Sequence, residues 1–279
     1  MAQRYRPQLD GLRVIATSEN SLSRARTAPR YPHRGDSTAI GSNVAYRLGK
    51  LRDLGLLQGV WLDCGCAEGG YTEALVAWGA QKVIGVDPER SRIDEAIARK
   101  LVNDEKLNRR PDAIEYHCCT DDFPLPDASV DATLLNEVLE HVANEAATLR
   151  EIWRVLRPGG HLVVMSPNRW FPFEGHGMRF LGRNFGFPIP LLPWLPSSWS
   201  ARVMAARNYW PHELRNIVAA AGFEIQKVDY VLPVLERYQW LPASVIPTYR
   251  RLMPRIEKTA LRKFGVSTLV VATRPVGHT

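Results

Sequence analysis

Apolar residues along the centre of the chain alternate between short continuous runs and stretches with helical spacing. Val44, Leu48, Leu51, Leu54 and Leu57 follow one another three or four residues apart, which predicts an amphipathic helix. The short runs predict strands at Val60–Cys64, Lys82–Asp87, Ile114–Cys118, Ala132–Leu135, His161–Ser166, Phe223–Val231 and Ser267–Thr273. The stretches between them predict helices at Glu68–Trp78, Ser91–Asn103, Asn136–Ala143, Glu145–Leu156 and Pro211–Ala221.

This alternation predicts an α/β architecture. Strands separated by helices of this length need crossover connections, so we expect a doubly wound, parallel sheet covered on both faces. Two stretches break the pattern, at residues 169–210 and 233–264, and both are rich in Pro and in aromatic or Arg residues. We expect these insertions to form a lid on a domain that spans residues 41–279, after a flexible basic tail at residues 1–40.

Composition excludes several classes of protein. The chain has 279 residues, of which 45% are hydrophobic and 23% charged, so it is globular rather than disordered. Four cysteines are too few for a disulfide scaffold and indicate reduced thiols. The longest uncharged stretches carry too many prolines for a membrane span, and the first residues lack a secretory signal core. We therefore expect a cytoplasmic protein.

The net charge of +7 is unevenly distributed. Residues 37–168 hold 20 acidic against 14 basic residues, whereas residues 1–36 hold 3 against 7 and residues 237–263 hold 1 against 7. Basic flanks of this kind suit nucleic acid, an anionic membrane or an acidic substrate, but they are equally typical of solvated helix faces.

A Gly-rich turn follows the first predicted strand. Its spacing from Asp63 to Gly69 is Asp-x-Gly-x-Ala-x-Gly, which differs from the dinucleotide pattern and disfavours a nicotinamide-dependent oxidoreductase. Asp87 ends the second predicted strand, where an acidic residue either accepts hydrogen bonds from a ribose or caps the next helix.

Two further groups of residues carry candidate chemistry. Glu137, Glu140 and His141 would share one side of the predicted helix, where they suit a divalent ion or simply a polar helix start. His176 follows the fifth predicted strand and is the candidate general base, with Glu174 to orient it; the alternative is a hydrogen-bonded loop histidine. The spacing of the cysteines does not suit zinc, and we expect no metal site.

Five ordered motifs resemble the class I S-adenosylmethionine-dependent methyltransferases, within the small-molecule group called type 11. They are Asp63–Gly69, Asp87, Asp122–Asp127, Asn136–His141 and Arg154–Gly160. The resemblance covers about residues 55–168. It implies S-adenosyl-L-methionine as cofactor and a Rossmann-like, mostly parallel seven-stranded sheet with an antiparallel last strand. The Glu-x-x-Glu-His segment is also similar to polyprenyl-quinone O-methyltransferases, some of which use magnesium there.

The resemblance also implies which residues bind the cofactor. They are Asp63, Cys64, Gly65, Cys66 and Gly69 for the methionine part, Asp87 for the ribose, Thr120, Asp121 and Asp122 beside the adenine, and Asn136 at the methionine end. This sequence departs from the family at Ala67, where Gly is usual, and at Cys118–Cys119, where a Gly-Asp pair is common.

We therefore expect methyl transfer to a hydrophobic, aromatic or lipid-like small molecule, with His176, Glu174 and His141 as the candidate catalytic residues. Aromatic lid residues suit such an acceptor; they are Trp170, Phe171, Phe173, Phe180, Phe185, Phe187, Trp194, Trp199, Tyr209 and Trp210. Arginines add a cationic side and suggest peripheral contact with an anionic membrane at its inner leaflet; they are Arg237, Arg250, Arg251, Arg255 and Arg262.

Two other functions stay open at this point. A nucleic-acid methyltransferase would use the basic flanks on phosphates, although no base-methylation motif or RNA-binding module is present. A non-catalytic binding protein that retains the fold is the second alternative, because Ala67 and the cysteines are atypical of the family.

Overall fold

The computed structural model describes residues 37–180, 183–185, 189–204, 206–235, 241–242 and 244–276. Most of the predicted basic tail, together with Phe187 and Arg237 of the predicted lid, lies outside the described residues.

One seven-stranded sheet organises the molecule. The strands in chain order are β1 Val60–Cys64, β2 Lys82–Asp87, β3 Ile114–Cys118, β4 Val130–Asn136, β5 Leu156–Pro167, β6 Phe173–Glu174, β7 Met178–Phe180, β8 Arg183–Phe185, β9 Ile189–Pro190, β10 Glu224–Val231 and β11 Ser267–Thr273. The sheet has the order β10–β11–β5–β4–β1–β2–β3, and the other four strands form two small hairpin-like pairs. Strands β1 to β5 pair in parallel, and β11 is antiparallel to both of its neighbours. This order confirms the predicted Rossmann-like fold.

Helices connect and cover the strands. They are α1 Ser37–Arg52, α2 Gly70–Ala77, α3 Arg90–Leu107, α4 Glu145–Val155, α5 Ser197–Val203, α6 Pro211–Ala220 and α7 Val245–Ile256, with short 3₁₀ helices at Pro111–Ala113, Leu192–Trp194 and Ala260–Phe264. In the described part of the chain, none of these helices has the length and apolarity needed to cross a bilayer.

Successive residues of each strand point to opposite faces, so the sheet separates two hydrophobic cores. On one face Leu62 packs in a core with Trp153 of α4. On the other face its neighbour Trp61 packs in a core with Leu48 and Leu51 of α1. The apolar runs that predict the central strands are therefore the runs buried on both sides, whereas the edge strands β3 and β10 are partly exposed.

The predicted helix at Asn136–Ala143 is wrong. Strand β4 runs through Asn136, and Glu137 then adopts a left-handed conformation with φ +58°, after which the chain forms a turn. The next helix, α4, starts after Asn144, whose side-chain Oδ1 accepts a hydrogen bond from the backbone N–H of Ala147 at 3.1 Å. The segment therefore folds as a strand end and a turn, and Glu137, Glu140 and His141 do not share a helix face.

Candidate cofactor and active site

A crevice for a ligand is expected beyond the carboxyl end of β1. Strand β1 pairs with β2 on one side and with β4 on the other, so the chain reverses its direction of winding between β1 and β4. In an open α/β sheet, ligands bind beyond the carboxyl ends of the strands at such a switch point. The Gly-rich turn, Asp87 and Asn136 all follow or end strands at this edge.

The Gly-rich turn lies close against the end of β2. The backbone N–H groups of Gly65 and Cys66 both donate to the carbonyl of Val86, at 2.8 and 3.0 Å. Gly65 has φ +76°, and a Cβ atom at this position would lie 2.4 Å from Cγ2 of Val138. Only glycine fits this position, because any other residue would be strained at this φ and its Cβ would clash with Val138.

Asp87 connects the turn to the next helix. Its Oδ2 accepts a hydrogen bond from the N–H of Ala67 at 3.0 Å, and its Oδ1 accepts one from the N–H of Glu89 at 2.9 Å. Burial raises the pKa of the Asp87 carboxyl, although these two N–H groups oppose the shift. Each carboxylate oxygen has capacity for a further hydrogen bond, so the position suits the predicted ribose contact.

The other predicted cofactor residues surround Asp87. Asp63 is buried and accepts a hydrogen bond from Thr72 Oγ1 at 2.7 Å, and burial raises the pKa of Asp63 to about 6. The N–H of Cys119 donates to the Asp87 carbonyl at 3.2 Å, which brings the turn of Thr120, Asp121 and Asp122 beside Asp87. The structure thus brings the predicted set to one edge of the sheet.

Ala67 adopts a left-handed conformation with φ +48°, at the position where the family usually has glycine. This conformation costs a non-glycine residue about 1–2 kcal/mol, whereas glycine loses about 0.4–1 kcal/mol through the entropy of the unfolded chain. Ala67→Gly is therefore expected to raise the free energy of unfolding by about 0.5–1 kcal/mol, measured by urea denaturation.

Gly69→Ala is the matched control for this prediction. Gly69 has φ +79°, and a Cβ atom there would lie 2.2 Å from the hydroxyl oxygen of Tyr116. This substitution should lower the free energy of unfolding. A destabilised Ala67→Gly protein would show that the turn is not strained at position 67.

Arg47 is a site residue that sequence reasoning missed. This buried guanidinium of α1 donates from Nη1 to Asn136 Oδ1 at 2.6 Å and to Glu137 Oε1 at 2.8 Å, and from Nη2 to Ser267 Oγ at 2.9 Å. Burial alone would raise the pKa of Glu137, but the charges of Arg47 and His176 and the hydrogen bonds from Ser267 and Arg47 together outweigh it and lower the pKa. The cation thus fixes Asn136 and the strained Glu137 together. The only sequence signal was one Arg within an apolar helical pattern.

His176 and Glu174 lie together at the same edge of the sheet. The buried Glu174 accepts hydrogen bonds from the N–H of His176 and from Nδ2 of Asn208, both at 2.7 Å. The imidazole Nδ1 of His176 lies 3.5 Å from Glu174 Oε1, and its Nε2 lies 3.9 Å from Glu140 Oε1. His141 meets the His176 ring edge-on, with ring centroids 5.1 Å apart. The structure brings all three predicted catalytic residues together.

The pKa values of the two imidazoles are shifted in opposite directions by their surroundings. Burial alone would lower the pKa of His176, but the hydrogen bond to Glu174 and the charge of Glu140 outweigh it and raise the pKa. Burial and the charge of His176 lower the pKa of His141 to about 4. His141 is therefore neutral near pH 7, and His176 is the stronger base.

The metal candidates inferred from the Glu-x-x-Glu-His segment need a correction. The carboxylate of Glu137 is engaged by Arg47 and Ser267, so it is not available as a ligand beside Glu140 and His141. In the described part of the chain, the ligand atoms that lie within 4.8 Å of one another belong to Glu140, His141 and His176. Burial and the charge of Glu137 raise the pKa of Glu140 to about 8. The histidine from the lid thus takes the place predicted for Glu137.

Comparison with known proteins identifies the domain. A family model described as a methyltransferase domain matches residues 62–164. This part of the chain is therefore similar to the type 11 methyltransferase domain. The matched region contains the Gly-rich turn, Asp87 and Asn136, and it ends at Val164, before the lid. His176 and Glu174 therefore lie outside the part of the chain that the family model covers.

Relatives share the same half of the molecule. A probable S-adenosylmethionine-dependent methyltransferase of Mycolicibacterium smegmatis is 32% identical over 165 residues, covering 59% of this chain and 52% of the relative. A ubiquinone biosynthesis O-methyltransferase of a Bradyrhizobium species is 35% identical over 147 residues, covering 52% of each chain. The chain thus spans about half the length of the curated relatives it matches.

Solved structures share the fold. An S-adenosylmethionine-dependent methyltransferase from Mesorhizobium loti has a TM-score of 0.54 at 20% identity, covering 84% of this chain and all of the other. The [4+2]-cyclase SpnF also has a TM-score of 0.54 at 20% identity, covering 84% of this chain and 82% of the other. At these identities the likeness shows the fold alone, and any reaction must be argued from the site.

Proposed function

We propose that the chain is an S-adenosyl-L-methionine-dependent methyltransferase that methylates a hydroxyl group of a hydrophobic, aromatic or lipid-like small molecule. The observation that carries the proposal is the meeting of two groups at one edge of the sheet. The Gly-rich turn with Asp87 lies beyond β1 and β2, and the His176–Glu174 pair lies beyond β4 and β5. A cofactor and an acceptor could therefore approach each other there.

The residues present fit this cofactor. Asp87 offers acceptor capacity for the ribose hydroxyls, and Gly65 allows the turn after β4 to pack closely on the end of β1 beside it. When bound, S-adenosylmethionine supplies a methyl group made electrophilic by its sulfonium. The work left to this chain is to align the acceptor, to exclude water and to take a proton.

His176 takes the proton of the acceptor hydroxyl. Its Nδ1 faces the buried carboxylate of Glu174, which leaves Nε2 to act as the base. Glu174 is a positioning residue, since Asn208 and the His176 backbone hold both of its oxygens. His141 packs against the ring and restricts its rotation.

The aromatic side chains of the lid support an apolar acceptor. Phe171 is nearly buried and contacts Phe173 with ring centroids 5.6 Å apart, so part of the aromatic set forms the core of the lid. Trp194 and Trp199 are exposed by contrast, which supports an apolar acceptor. The relatives named as ubiquinone biosynthesis O-methyltransferases support a hydroxyl as the methylated group.

The rate of methylation should depend on the protonation of His176. Because Glu174 and Glu140 raise the pKa of His176 above 6.5, kcat/KM is expected to rise with pH through a pKa higher than that of free histidine. Glu174→Gln removes the neighbouring charge and should move this rise to lower pH. A pH profile that is flat between pH 6 and 9, or unchanged in Glu174→Gln, would contradict the assignment.

Transfer of a labelled methyl group tests the proposed function directly. The purified protein is incubated with methyl-labelled S-adenosylmethionine and a panel of catechols, phenols and prenylated phenols. The proposal predicts label in at least one apolar acceptor and loss of that signal in His176→Asn. Cofactor binding without transfer to any acceptor in the panel would favour the non-catalytic binding protein.

A further inference from the structure

The two insertions are joined by a continuous chain of side-chain contacts. The buried guanidinium of Arg169 donates from Nε to the carbonyl of Pro193 at 2.7 Å and lies 5.2 Å above the ring of Trp210. Trp210 in turn contacts Trp170, with ring centroids 5.0 Å apart, and Trp170 contacts Phe264 at 5.9 Å. The first insertion is therefore packed against the 3₁₀ helix at the end of the second.

The first insertion presents an apolar lid tip, residues 191–199. Leu191, Trp194, Leu195 and Trp199 are between 40% and 67% exposed. The N–H of Trp194 donates to the carbonyl of Leu191 at 3.1 Å, and residues three apart in a 3₁₀ helix lie on the same side. Four large apolar side chains exposed within nine residues favour contact with another apolar phase.

The second insertion presents a basic surface, residues 245–264. It holds six basic residues and one acidic residue, Glu257. That carboxylate is engaged by groups of α1: Lys50 Nζ lies 2.8 Å away, and Tyr46 donates a hydrogen bond at 2.6 Å. Helix α7 has no buried residue. The outward charge of this surface is therefore positive.

Apolar side chains are interleaved with these charges. Leu252 is exposed and stands next to Arg251 on α7, and Leu261 and Phe264 are exposed on the 3₁₀ helix that follows. Among the described residues, Arg251 and Arg255 have no carboxylate within ion-pair distance. A helix that combines exposed leucine with unpaired arginine is typical of a segment lying in a lipid interface.

We propose that the lid tip and the basic surface together dock the protein onto an anionic lipid bilayer. Tryptophan and leucine enter the interface, and arginine and lysine meet the phosphates of the head groups. A nucleic acid would use the arginines but would leave Leu191, Leu195 and Leu252 exposed to water. The inference rests on the proposed function in one respect, because a lipid-like acceptor would be reached from this surface.

Vesicle flotation tests the docking surface without any need for turnover. Vesicles of phosphatidylcholine with 30% phosphatidylglycerol are compared with pure phosphatidylcholine vesicles at low and high salt. Each basic residue at an anionic surface contributes about fivefold in affinity, so Arg251→Glu with Arg255→Glu should weaken binding by about 25-fold or more. Trp194→Ser with Trp199→Ser should weaken binding by about tenfold.

The matched control is Arg90→Glu with Lys106→Glu on α3, which carries the same change of charge. Helix α3 packs on β2 and β3, at the opposite edge of the sheet from β10 and β11. This control should float like the unmodified protein. Equal loss in the control and in the α7 variant, or no flotation of the unmodified protein, would overturn the inference. Salt-sensitive binding of a single-stranded RNA oligonucleotide that depends on the same arginines, without flotation, would overturn it in favour of nucleic acid.

The docking surface and the proposed function can be tested independently of each other. S-adenosylmethionine binding is measured on the same variants in vesicle-free buffer, where Arg251 and Arg255 should have no effect. If the protein does not float but still binds the cofactor and transfers the methyl group, only the docking surface is contradicted. If the protein floats but transfers no methyl group, the proposed function is contradicted and the docking surface is supported.

Discussion

Replacing Arg47 with methionine is expected to lower the free energy of unfolding by about 2–4 kcal/mol, because it leaves the partly buried charge of Glu137 without its guanidinium partner. The substitution also removes the N–H groups that donate hydrogen bonds to Asn136 Oδ1 and Ser267 Oγ. Urea denaturation followed by circular dichroism measures the loss. This is the largest effect on stability that we expect from a single change in the site.

The double variant Arg47→Met with Glu137→Gln separates the charge from the packing. Because it removes both charges of the pair, it should recover most of the lost stability. A loss below about 1 kcal/mol in the single variant, or no recovery in the double variant, would show that the pair does not hold this turn.

Replacing His176 with asparagine is expected to lower kcat for methyl transfer by about 10²–10⁴-fold, the usual contribution of a general base. The KM for the acceptor should change little, because the base acts on the proton in the transition state. The rise of kcat/KM with pH should also disappear. Initial rates with labelled cofactor across pH 6 to 9 measure all three quantities.

His141→Asn is the matched control for His176. Both rings belong to the same cluster, but burial and the charge of His176 lower the pKa of His141 to about 4, so it is a poor base near neutral pH. We expect His141→Asn to lower kcat less than tenfold and to keep the pH dependence. Equal losses in the two variants would indicate a structural cluster rather than a base.

The sequence pattern predicts the sheet because its central strands are apolar runs buried on both faces, and the edge strands are still apolar enough to be recognised. The bounds of β1, β2, β3 and β11 agree residue by residue with those runs. The turn after β4 escaped prediction because Arg47, ninety residues earlier in the chain, holds Glu137 in its left-handed conformation. Helix α7 escaped it because Pro247 and Pro254 lie within the helix, and proline usually indicates a break in helical structure.

The partnership of His176 with Glu140 and His141 also could not be predicted. A prediction from spacing joins Glu137 to Glu140 and His141 because all three lie within five residues. The observed cluster instead joins the turn after β4 to the loop after β6, and these come together only through the tertiary fold. Spacing along the chain identified the right residue types but placed one carboxylate wrongly.

Calorimetric titration of S-adenosylmethionine tests the central claim most directly. We expect micromolar binding, weakened about 100-fold in Asp87→Ala because two hydrogen bonds to a charged group are lost. The control Asp94→Ala, at an exposed position of α3, should bind normally. Asp87→Asn keeps an acceptor for one of the two backbone N–H groups, so it should disturb the turn less than Asp87→Ala does. Absence of binding to the unmodified protein, or unchanged binding in Asp87→Ala, would contradict the account.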